Sequence, residues 1–249
     1  MNIIKHISLI ILGSVILLLT SCNKDSSTEP NNNTVTDIDG NVYETVTIGA
    51  QIWLAENLKV THYRNGDPIP TGYSDSEWSD LSTGAFAIYH DDPANEDTYG
   101  NLYNWYAVDD SRGVCPEGWH VPTDAEWTVL TDYLAPEGIE SWGNSIAGGK
   151  LKSTGTIENG DGLWYAPNTG ATNESGFTAI PGGQYNNDGY NDDNFINMSA
   201  RGYHWSSTGT ISYDADAWLR NLFSGNSDVS RYGDDKHFGF SVRCVGDTD

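Results

Sequence analysis

The densest run of metal-competent oxygens in the chain is Asn186-Asn187-Asp188-Gly189-Tyr190-Asn191-Asp192-Asp193-Asn194. Calcium takes six to eight oxygen ligands from carboxylates, amides and carbonyls. An EF-hand frame fails here, because Gln184 would fill the first ligand position and Phe195 the last. That leaves a loop site of another kind, with Asp188, Asp192 and Asp193 as candidate calcium ligands. The competing reading is a solvated turn, since Asn, Asp and Gly favour turns. Asp91, Asp92 and Asp97 make a second, fainter cluster. Tyr185, Tyr190 and Tyr203 stand close to the first loop. Sugars stack on exposed aromatic rings while Asn and Asp take their hydroxyls. Tyr185, Tyr190, Tyr203 and Asp188 are therefore the candidate ligand-binding residues, for a glycan or a protein surface.

Catalytic patterns are thin. His62, His90, His120, His204 and His237 form neither HExxH nor any i, i+4 pair, so zinc-protease chemistry has no motif. There is no GxSxG elbow, no Walker loop and no GxGxxG. Carboxylates are too numerous to single out a glycosidase dyad. His120, in Gly118-Trp119-His120-Val121-Pro122, reads as a histidine fixing the turn before a helix. No catalytic residue is assigned. No cofactor is expected apart from calcium at the acidic loop.

The third chemistry-bearing position is Cys22. It follows a basic start at Lys5 and His6, the apolar run ISLIILGSVILLL from Ile7 to Leu19, and the small residues Thr20 and Ser21. The run is short of the roughly 20 residues that span a bilayer. A basic start, a short apolar core and a small-residue cut site mark a secretory leader. Leu19-Thr20-Ser21-Cys22 resembles the lipobox of bacterial lipoproteins, in which the thiol takes a diacylglyceryl group and the cysteine becomes the mature N-terminus. Residues 1–21 are thus expected as a leader and Cys22 as the lipidation site, which makes a membrane the first partner. Asn23 to Thr36, NKDSSTEPNNNTVT, lacks aromatics and is expected as a disordered tether over residues 22–36. Asn23-Lys24-Asp25 resembles the Lys-acidic signals that send Bacteroidetes lipoproteins to the cell surface. The expected location is the outer membrane, facing the cell exterior, with a periplasm-facing anchor as the alternative.

The net charge is −23, and loss of Lys5 with the leader makes it one unit more negative. That balance disfavours nucleic acid and bare anionic lipid as partners. Nine Trp, fourteen Tyr and six Phe argue against disorder, because each aromatic buries roughly 150–250 Å². Residues 37–249 are expected to form one domain.

The elements that must hold these residues are short. Val42 to Ile48 alternates as a strand does, and Gly49-Ala50-Gln51 turns it into Ile52-Trp53-Leu54. Leu102 to Val108 is apolar and short, helix or strand. Thr123 and Glu126 form a capping box, with Trp127, Leu130 and Leu134 on one helix face and Pro136 as the stop. A weaker helix is expected near Ser141 to Leu151. Short strands follow at Gly176–Ile180, Tyr203–Ser207, Ala217–Phe223 and Phe238–Val245. Few helices and many short strands predict an α+β fold.

Several blocks together resemble the Fibrobacter succinogenes major paralogous domain, a family common in surface lipoproteins. They are Asp39-Gly40-Asn41-Val42-Tyr43, IGAQIWLAENL (48–58), YGNLYNWYAV (99–108), VCPEGWHVPTDAEW (114–127), AGGKLKSTG (147–155), GFTAIPGG (176–183), YHWSST (203–208) and FGFSVRCV (238–245). They stand in family order along nearly the whole domain. That family is similar to C-type-lectin-like folds and to the formylglycine-generating-enzyme group. The resemblance implies a C-type-lectin-like fold with a small twisted antiparallel sheet, two helices and long loops. It implies no established activity. With Cys22 committed to lipid, Cys115 and Cys244 remain as an even pair in an oxidising compartment, which suits a structural disulfide. The alternative is a copper-thiolate or redox pair, as in formylglycine-generating enzymes. Three functions follow: a surface binding or adhesion module for glycan or protein, a structural envelope lipoprotein, or a formylglycine-generating-type enzyme. The first is the expectation carried forward.

Overall fold

The computed structural model describes residues 33–136, 146–186 and 194–247. The two expected hairpin strands are present. Val42–Ile48 (β2) pairs antiparallel with Gln51–Leu54 (β3), in register Ile48↔Gln51 across the Gly49-Ala50 turn. Thr34–Thr36 (β1) adds to the outer side of β2, with Val35 opposite Tyr43. The sequence assigns those three residues to the tether. They pair because Thr45 N donates to Asn33 O and Val35 packs against the core, which gives the segment a partner its composition does not reveal.

The stretch from Thr61 to Asp97, for which the sequence gives no elements, carries a helix at Asp75–Ser79 (α1), a short strand at Phe86–Ala87 (β4) and a helix at Pro93–Tyr99 (α2). Trp78 anchors it, with its indole N–H donating to His237 O. Asp92 caps α2 by accepting from Ala94 N, with Pro93 in the first turn. The ambiguous LYNWYAV segment is both things at once. Leu102–Tyr103 (β5) pairs with β4, and Trp105–Val108 (α3) follows behind the Asn104 cap.

Trp119–His120 (β6) leads into the best-patterned helix, Asp124–Leu134 (α4). Its capping box is formed: Glu126 N donates to Thr123 Oγ1, and Thr123 N donates to Glu126 Oε2. Trp127, Leu130 and Leu134 face inward, as their spacing predicts. The weaker helix is Ala147–Leu151 (α5); the part of that expectation on 141–145 lies outside the described residues.

Gly182–Tyr185 (β7), Phe195–Met198 (β8), Arg201–Gly209 (β9), Asp216–Phe223 (β10), Val229–Asp235 (β11) and Val245–Gly246 (β12) complete the described elements. Gly176–Ile180 holds only an isolated bridge between Ala179 and Lys152, so the strand expected there is absent. Two five-stranded sheets result, ordered β1-β2-β3-β12-β6 and β11-β10-β9-β7-β8, with β7 parallel to β9. A mixed α+β architecture is the outcome. The first sheet joins both ends of the described chain, because β12 slots between β3 and β6. Helix α4 bridges the two sheets. Trp127, Leu130 and Leu134 share a core with Trp53 of β3, Leu222 of β10, Trp164 and Phe177.

Candidate functional site

The cysteines come first. Cys115 and Cys244 are bonded, with S–S at 2.07 Å and Cα–Cα at 6.0 Å. Both are buried. The bond ties the loop entering β6 to the residue before β12, its neighbour in the sheet. Cys22 lies outside the described residues, as do Asp188, Tyr190, Asp192 and Asp193.

The two described candidate tyrosines are in the core rather than on a ligand-facing surface. Tyr185 sits edge-on to Trp78 and Phe195, with ring centroids 4.8 and 4.7 Å away. Its hydroxyl donates to Asp75 Oδ1 at 2.6 Å. Burial, followed by that hydrogen bond and the Asp75 charge, holds the phenol above its ordinary range. Tyr203 stacks on Phe240 at 5.0 Å and 13°, and its hydroxyl accepts from Asn197 Nδ2. The reason is topological. β7 and β9 are interior strands of the second sheet, and rings of this size are covered there. An exposed sugar platform expected at these two rings is not what they form. Asp92 of the fainter acidic cluster serves as a helix cap. Among the described residues no group of three or more His, Cys, Asp or Glu converges as a metal site.

The polar residues of the motif blocks meet in the interior. Arg243 is fully buried. Its Nε donates to Asn57 Oδ1 (2.7 Å), one terminal nitrogen to Leu54 O and Phe177 O (3.0 and 2.6 Å), and the other to Thr178 O (2.9 Å). The guanidinium also lies 4.5 Å from the Phe177 ring. Burial lowers it to about 9, against the pull of Glu56. His204 Nε2 lies 3.3 Å from Asn57 Oδ1, and Asn57 Nδ2 donates to Tyr99 O and Ser241 Oγ. Burial and then the Arg243 charge hold His204 well below its ordinary value, so it is neutral. Lys152, also buried, donates to Thr169 O, Phe223 O and Asn226 O at 2.7–3.0 Å. Arg243, Asn57 and Lys152 thereby supply donors to backbone carbonyls in the interior. Sequence reading does not single them out, because nothing in a lone Arg or Lys announces that its acceptors are carbonyls far away in the chain.

His120 is the half-exposed histidine with the most organised surroundings. Its Nε2 lies 2.9 Å from Glu126 Oε1 and its Nδ1 2.5 Å from Asp247 Oδ1. Burial pulls the imidazole down, but the two carboxylates outweigh it and the group titrates above 6.5. With both ring nitrogens engaged, His120 clamps the C-terminal segment to the start of α4.

Open space lies elsewhere. One groove of about 200 Å³ lies beside the disulfide, between Asp37, Arg64 and Glu117. A larger one, about 380 Å³, lies between the β2–β3 turn, the end of α4 and α5. Tyr133 forms one wall and is 61% exposed.

These features define a disulfide-stapled α+β domain whose motif-block polar residues brace its interior. The chain belongs to the Fibrobacter succinogenes major domain family, whose profile matches residues 46–246. No curated protein and no solved structure matches it.

Proposed function

We propose that this is a lipid-anchored cell-envelope protein whose domain is a surface module binding glycan or protein ligands. The observation that carries the reading is the inward direction of the motif-block chemistry. Asn57, His204 and Arg243 are committed to one another and to backbone, so ligand contacts fall to exposed residues around that scaffold. The leader-like residues 1–21 and the lipobox-like Leu19–Cys22 support export and lipidation at Cys22. The disulfide suits an oxidising compartment outside the cytoplasm. We read the fold as C-type-lectin-like, supported by the strands from both chain ends sharing one sheet and by the long connections between elements. In that reading the loop between β7 and β8, with Asp188, Asp192, Asp193 and Tyr190, is the calcium and ligand loop. The formylglycine-generating alternative needs free thiols, and Cys115 and Cys244 are spent on each other.

The test is binding of the full-length chain, in detergent, to plant, mucin and bacterial polysaccharides with calcium and then with EDTA. Saturable binding is expected. Loss in EDTA assigns calcium a role, and silence across the panel overturns glycan recognition in favour of a protein partner or a structural envelope role.

A further inference from the structure

We propose that the groove between the β2–β3 turn, the end of α4 and α5 is a saccharide subsite, with Tyr133 as its stacking platform. This rests on the binding-module reading above and adds a contact site made of residues other than those of the β7–β8 loop named there. Among the described residues the aromatic rings most open to solvent are those of Tyr133, Tyr165 and Tyr213. Of these, Tyr133 lines one of the two grooves described above, and Tyr165 and Tyr213 line neither.

The ring is braced. A Cβ on Gly49 would stand 3.0–3.3 Å from Tyr133 ring carbons, so the ring rests on the turn backbone with no side chain between them. Gly49 has φ +62°, a conformation that glycine adopts at no steric cost. Tyr133 is therefore held in place on the turn while most of its surface stays in water. A fixed aromatic ring loses little conformational freedom on binding, which favours it as a contact.

The polar side of the groove has matching chemistry. Lys150 Nζ lies 2.8 Å from Glu174 Oε1. The ammonium has further N–H groups to donate, and the carboxylate has a second oxygen to accept. A donor and an acceptor are thus presented side by side, which suits neighbouring sugar hydroxyls, each of which both gives and takes a hydrogen bond. The pair is held in place. Ser175 Oγ donates to Lys150 O and Ser175 N to the same carbonyl, fixing the Glu174 turn onto α5. Thr47 adds a hydroxyl on the β2 side. An aromatic face beside paired polar groups fits a pyranose, which has an apolar C–H face and a rim of hydroxyls. It does not fit a phosphate, because the groove's lysine already faces a carboxylate and the whole chain carries −23. A volume of about 380 Å³ is within the range of small-ligand sites.

The test uses the full-length chain in detergent and oligosaccharide fragments of xylan, β-glucan, mucin glycans and bacterial surface polysaccharide. Hydroxyl-radical footprinting should show Tyr133 protected on binding and Tyr165 and Tyr213 unchanged. Tyr133→Ala should weaken binding about tenfold, while Tyr133→Phe, which keeps the ring, should bind as wild type. Glu174→Gln should also weaken it, and Tyr165→Ala should not. Binding that persists in Tyr133→Ala, with Tyr133 unprotected in the wild type, overturns the subsite and leaves the module reading standing. If no fragment binds at all, the subsite and glycan recognition fall together, and only protein ligands remain for the module.

Discussion

Arg243 is a buried cation with no carboxylate among the described residues at hydrogen-bond distance, held by Asn57 and three backbone carbonyls. Neutral acceptors compensate its desolvation through number and geometry. Removing the guanidinium leaves those acceptors unpaired in the interior. Arg243→Ala is therefore expected to cost on the order of 3–5 kcal/mol, read as a lowered denaturation midpoint. A change below about 1 kcal/mol would show that the network is dispensable. His120 acts through pH. Its folded value is raised above 6.5, so its contribution is full below that value and is lost as pH rises through the raised one. Glu126 has the opposite sign. Burial would raise it, but the bonds from Thr123 and His120 win and hold it below 4.5. Its contribution is lost only as pH falls through that depressed value. The stability difference between wild type and His120→Gln should therefore be largest near about pH 6 and shrink towards about pH 9. A difference that grows with pH would contradict the clamp.

The disulfide acts between elements. It closes a loop with a sequence separation of 129 and fixes β12 beside the entry to β6. Restricting so long a loop in the unfolded chain contributes roughly 4–5 kcal/mol in the chain-entropy picture. Reduction, or the double variant Cys115→Ser with Cys244→Ser, should lower unfolding stability by about 2–5 kcal/mol, seen in denaturant titrations with and without reductant. Identical curves would remove the staple from the account. The elements legible in sequence are those written locally. The Thr123/Glu126 capping box with Trp127, Leu130 and Leu134 gives α4, and the alternation from Val42 to Ile48 gives β2. The missed ones are set by distant partners. Thr34–Thr36 is a strand because β2 offers it an edge, and Val229–Asp235 is one because β10 does. The helix at Asp75–Ser79 did carry a local signal, the Ser74/Glu77 capping box, that was there to be read. At the candidate site, the cysteine pair is legible from the even count left once Cys22 is set aside. Tyr185 and Tyr203 read as surface residues because they flank a polar loop, but strand order buries them. Tyr133 carries no signal beyond lying off the apolar face of α4, and its partner Gly49 is distant in sequence.

At the scale of the whole molecule, one interior is braced by buried cations, a staple and a bridging helix, and its grooves open to solvent. No helix among the described residues is long and apolar enough to cross a membrane. The attachment proposed above is the lipid on Cys22. A fatty-acid label fed to producing cells should mark the wild type and not Cys22→Ala; equal labelling of both, or none in the wild type, would refute lipidation at Cys22. The most direct measurement of a surface binding role compares cells producing the chain with cells lacking its gene, for retention of fluorescent polysaccharides. Producing cells should retain at least one polysaccharide, and external protease should abolish that retention. Equal retention by both cell types, or retention that survives the protease, would contradict a surface glycan-binding module.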